Sequence, residues 1–109
     1  MSRAQRDKGR RGQTMAEALL RDRDWVTDPI SAGIKREDLI ATDPGGVVWS
    51  VEVKNCLAIT PAHRKQAMEQ ARQRKLPWLL ISKISGTTGW LVQRQGGRPA
   101  VWFEKGELL

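Results

Sequence analysis

The sequence predicts a single α/β domain, built on a central mixed β-sheet flanked by two helices. Three observations lead there. Apolar residues recur at helical spacing near the N-terminus. Short β-rich stretches separated by turn signals follow. A capped second helix then interrupts them, so that it crosses over between strands.

The opening stretch MSRAQRDKGRRG is basic and glycine-punctuated. Residues 1–11 are expected to form a flexible basic arm, and residues 12–109 the domain. Such an arm either tracks a phosphate backbone or is a solvated terminus. From Gly12 to about Asp22, Met15, Ala16, Leu19 and Leu20 share one face of a predicted helix. WVTDPISAGIKRED is extended or turned, because Pro29 keeps Asp28 out of a helix and Gly33 marks a bend. DLIAT, from Asp38 to Thr42, is a short strand, and DPGG closes a turn into VVWSVEVK. Thr60 then Pro61 reads as a helix start, a capping hydroxyl followed by proline at the first helical position. This second helix is expected to bury a thin stripe of Ala67, Met68 and Ala71. Its other residues include Arg64, Lys65, Arg72, Arg74 and Lys75. PWLLISKI is a buried-type strand, and WLVQR and AVWF form a hairpin around QGGRP.

A chain of 109 residues suits one small domain. Nineteen Lys and Arg against 12 Asp and Glu leave a formal charge of +7, which suits a polyanionic partner such as nucleic acid or an anionic membrane surface. No apolar run is long enough to cross a bilayer, and no apolar leader follows Met1. Cys56 is the single cysteine and His63 the single histidine, so neither an internal disulfide nor a Cys/His zinc cluster is available. An intracellular, nucleoid-associated setting is expected. The five tryptophans read as core or interface.

The chemistry concentrates in the hairpin. Glu52 and Lys54 share one face of their strand, and pairing through DPGG would bring Asp38 beside Glu52. Two carboxylates held together repel unless a cation or proton relieves them. A hard divalent ion such as Mg²⁺, with Mn²⁺ as substitute, takes carboxylate oxygens and keeps several waters, one of which can be activated against a phosphodiester. Lys54 would orient that water or stabilise developing charge. The plain alternative is a solvated surface strand with an incidental ion pair.

ISAGIKREDLIA followed by SVEVKN resembles the core of the PD-(D/E)XK nuclease superfamily, and within it the archaeal-type Holliday-junction resolvases. The initial KG before a helix and GWLVQ after the buried strand extend the resemblance from about Lys8 to Val92. It implies a restriction-endonuclease-like core and a Mg²⁺-dependent endodeoxyribonuclease. It implies Asp38 and Glu52 as metal ligands with the Val53 carbonyl as a third, Lys54 as the catalytic lysine, and Ser31 near the scissile phosphate. The family's first-helix glutamate falls at Gln13, with Glu17 one turn later, so that role stays open between them. Gln66 and Gln70 on the second helix are candidates to reach the metal site or DNA. Arg10, Arg11, Lys35, Arg36, Arg64 and Lys65 are candidate DNA contacts. His63 reads as a first-turn helix residue.

The implied substrate is branched DNA, and its symmetry suits a homodimer with two sites. A nuclease acting on other DNA, or a non-catalytic DNA-binding module with an eroded site, are the alternatives.

Overall fold

The computed structural model describes residues 3–29, 38–54 and 58–104, with residues 3–11, 13, 29 and 38 described through their backbone alone. Helix α1 (Arg3–Asp22) precedes strands β1 (Val26–Pro29), β2 (Asp38–Thr42) and β3 (Val48–Lys54). Helix α2 (Pro61–Arg74) leads on to β4 (Trp78–Lys83), β5 (Gly89–Arg94) and β6 (Ala100–Phe103). The strands form one sheet in chain order. Every neighbouring pair is antiparallel except β3–β4, which is parallel and bridged by α2. The mixed α/β sheet with two helices is therefore the architecture expected.

Alternation along the strands divides the core between two faces. Leu39, Ala41, Trp49, Val51, Val53, Leu79 and Ile81 pack with Ala16, Leu19 and Leu20 of α1. Trp78 and Leu80 point the other way and pack with Ala67 and Ala71 of α2. Strands β3 and β4 are thus covered on both sides, as central parallel strands must be. Trp25, Trp49, Trp78 and Trp90 are buried, and Trp102 is partly buried against the cluster that holds Trp25, Trp49 and Trp90, which places all five indoles in or against the core.

Helix α1 starts at Arg3, well before Gly12, where its apolar pattern begins. Its buried residues among those described are Ala16, Leu19 and Leu20, all in its second half. Helix α2 starts as its sequence dictates. The Thr60 hydroxyl accepts from His63 N–H at 3.2 Å, and the Thr60 N–H donates to His63 Nδ1 at 3.2 Å, a reciprocal cap built on the lone histidine. It ends at Lys75, whose backbone is left-handed and whose N–H caps Ala71 and Arg72. Met68 departs from expectation. It is 52% exposed, because it lies about 100° around the helix from Ala67 and only the alanine side approaches the sheet.

The β2–β3 turn is held by Asp43, whose Oδ1 accepts from Val47 N–H at 2.9 Å and whose Oδ2 accepts from Trp49 Nε1 at 3.1 Å. The indole bond first, then the backbone bond, holds the Asp43 carboxyl below its ordinary range. The stabilisation is present above the ordinary carboxylate pKa of about 4 and is lost as pH falls through the lowered value. Asp43→Asn is therefore expected to flatten the acid limb: between about pH 4 and pH 2 its thermal midpoint falls less than that of wild type. Differential scanning fluorimetry across that range checks it, and parallel slopes would refute it. No helix among the described residues is long and apolar enough to cross a membrane.

Candidate active site

The β2–β3 register pairs Asp38 with Glu52, so the hairpin brings their backbones together as its turn sequence predicts. Parallel pairing with β4 sets Leu80 beside Glu52 and Ser82 beside Lys54. Because Leu80 packs on α2, the row Ser50, Glu52, Lys54 lies on the α2 side of the sheet. The Asp38 backbone sits at the same level, one strand over.

This row is polar where packing alone would favour apolar residues. Glu52 is 2% exposed, Ser50 2% and Ser82 0%. Enclosing a carboxylate costs several kcal/mol unless a countercharge and hydrogen bonds compensate. Lys54 provides that countercharge, its Nζ 3.3 Å from Glu52 Oε1, while its own side chain stays 21% exposed at the rim. A solvated strand with an incidental surface pair does not match this burial. An enclosed acid next to a half-open ammonium is an arrangement that a site can use.

Helix α2 contributes from above. Arg74 reaches down from its last turn, donating from Nη1 to Ser50 Oγ at 2.8 Å. Since α2 runs back over the parallel pair, the step from Arg74 to Gln70, about 6 Å, parallels the step from Ser50 to Glu52, about 7 Å. Gln70 thereby comes to the level of Glu52. Its Oε1 is buried and has no hydrogen-bond partner among the described residues, an acceptor available to a ligand. Gln66, one turn earlier, is half-buried.

Other candidates lie elsewhere. Glu17 sits on α1, whose apolar side packs on the opposite face, and its carboxylate is 3.7 Å from Arg21. Arg64 is half-buried and Lys65 exposed on α2. Ser31, Lys35 and Arg36 lie outside the described residues, as do the side chains of Asp38, Gln13, Arg10 and Arg11. Among the described residues no cluster of three or more Asp, Glu, His or Cys side chains forms.

Sequence reading missed Arg74, Ser50 and Ser82 as members of this face. The signals existed: two serines stand in otherwise apolar strands, and Arg74 falls seven residues after Ala67 on the same helical side.

The donor set suits a hard divalent cation. It offers the enclosed Glu52 carboxylate and the amide oxygen of Gln70 at the same level, both oxygen donors, with the Asp38 backbone one strand over.

No protein-family model matches the chain, and no curated protein matches it. Among solved structures it is similar to Hjc, a Holliday junction resolvase from the archaeal hyperthermophile Archaeoglobus fulgidus, with a TM-score of 0.59 and 18% identity. The match covers 80% of this chain and 72% of the resolvase chain. The two share a fold.

Proposed function

We propose that the chain is a metal-dependent DNA endonuclease of the PD-(D/E)XK type, selective for branched DNA such as four-way junctions. The observation that carries this reading is Glu52, 2% exposed, paired with Lys54 at 3.3 Å and in register with Asp38. The shared fold with a Holliday junction resolvase supports it, and the charge of +7 suits a polyanionic substrate.

Asp38 and Glu52 would hold Mg²⁺ or Mn²⁺, with the Val53 carbonyl beside them. When bound, such a cation activates water and neutralises charge at a phosphodiester. Lys54 holds an ammonium at the mouth, where charge builds on the phosphate oxygens in the transition state. Gln70 offers its buried amide oxygen to orient water or a ligand over Glu52. Arg74, anchored on Ser50, keeps α2 seated over the row. Ser31 would approach the scissile phosphate, and Arg10, Arg11, Lys35, Arg36, Arg64, Lys65 and Gln66 would contact the DNA backbone. The first-helix role, open between Gln13 and Glu17, is testable by Gln13→Ala and Glu17→Gln. A two-fold junction would be cut by a homodimer, one site per strand. The protein would act on DNA within the cell.

The test compares labelled four-way junction, flap and linear duplex, each with Mg²⁺ or with a chelator. Junction cleavage that needs the metal and exceeds cleavage of linear duplex is expected. Tight junction binding with no cleavage in either Mg²⁺ or Mn²⁺ would instead identify a non-catalytic DNA-binding module.

A further inference from the structure

A groove of about 790 Å³ opens beside the C-terminal half of α2, lined by Lys65, Met68, Arg72, Lys75, Trp78 and Gln95 among others. Its Trp78 end is offset from the candidate active site, while Lys65, on the exposed side of α2, reaches the level of Lys54. Trp78 pairs with Ser50 in the parallel register, four residues, or about 13 Å, from the level of Lys54.

The lining is strongly cationic. Its acid, Glu69, is taken by Arg72 at 2.7 Å. Lys65 and Lys75 have no ion-pair partner among the described residues. Capping the helix does not need the Lys75 ammonium, because the backbone N–H groups of Lys75 and Leu76 already serve the last carbonyls. Ten residues of helix separate the two lysines, about 15 Å along the axis. That is about four base-pair rises of ~3.4 Å along a duplex axis. Gln95 adds a neutral hydrogen-bonding group at the rim.

We infer that this groove seats the phosphate backbone of a DNA duplex arm outside the cleaved region, with Lys65 and Lys75 as its two anchors. The inference rests on the reading of the chain as a DNA-acting protein. It adds a second contact surface, which would favour a substrate with an arm long enough to reach from the cut to the groove.

The test is fluorescence anisotropy with a labelled four-way junction in chelator, so that cleavage plays no part, as KCl is raised. The variant Lys65→Gln/Lys75→Asn removes both charges, and Asn suits the left-handed backbone at Lys75. Binding about tenfold weaker, with a log–log salt slope shallower by about two, is expected. A matched control, Arg21→Gln/Arg23→Gln, removes equal charge from the far end of α1 and should stay within about twofold of wild type. The inference is overturned if the groove variant binds like wild type, if the control loses as much, or if wild type does not bind junction or duplex at all. Cleavage in Mg²⁺ is scored separately. Lost binding in the groove variant with an inactive wild type would retain the groove and reject the nuclease, and an active wild type with an unaffected groove variant would do the reverse.

Discussion

Glu52→Gln is expected to lower metal-dependent junction cleavage by about 10³-fold or more, because the charge stabilisation a divalent ion supplies is worth several kcal/mol. Gln keeps the volume of a side chain that is 2% exposed, so the sheet should stay intact. What it removes is the charge that would anchor the cation, and calorimetry should show weakened Mn²⁺ binding even without DNA. Lys54→Met separates the second role. It preserves the apolar stem while deleting the ammonium 3.3 Å from Glu52, and should cost about 10²–10⁴-fold in single-turnover rate. Junction affinity in chelator should change far less than the cleavage rate for both, since the other proposed backbone contacts lie outside this pair. Cleavage by Glu52→Gln within tenfold of wild type would remove Glu52 from the chemistry.

Much of this arrangement is legible in the sequence because it depends on local rules. DPGG sets the hairpin, the hairpin sets the register, and a period of two puts Glu52 and Lys54 on one face. Thr60 with Pro61 marks the start of α2 to the residue. The parts that were not legible depend on which face a helix covers. The contact of Arg74 with Ser50 joins residues 24 apart, and no local pattern announces it. Burial of Glu52 follows from α2 closing over β3, whereas the strand alone is equally compatible with a wet surface. The stripe of α2 narrowed to two alanines because Met68 lies about 100° around the helix from Ala67, away from the sheet. Glu17 could be placed on a helix, but not on a side of the sheet, until α1 was seen to pack on the face away from Glu52. The basic groove needs β4 and β5 brought beside α2, so the sequence offers Lys65 as a DNA contact but does not join it to Lys75 on one surface.

Trp90→Ala should destabilise the domain by about 3–5 kcal/mol, the range for truncating a fully buried aromatic. Against a typical total of about 5–15 kcal/mol, that removes a fifth or more of the stability. Trp90 is 0% exposed within the core cluster shared with α1. Its indole N–H donates to Glu104 Oε1 at 3.2 Å, and Lys83 Nζ lies 5.6 Å from the ring centroid and 3.8 Å from the same oxygen. The truncation would open a cavity and strip Glu104 of a donor in one step. Trp90→Phe keeps most of the apolar bulk and should cost distinctly less. Urea denaturation should show a lower midpoint with an unchanged m-value, and a loss under about 1 kcal/mol would show that the surrounding core collapses to fill the space. The side chain lies on the α1 face, across the sheet from Glu52, because its neighbour Leu91 registers with Ser82 on the α2 face. Cleavage per folded molecule should therefore be unchanged below the new melting temperature, which separates damage to the scaffold from damage to the site.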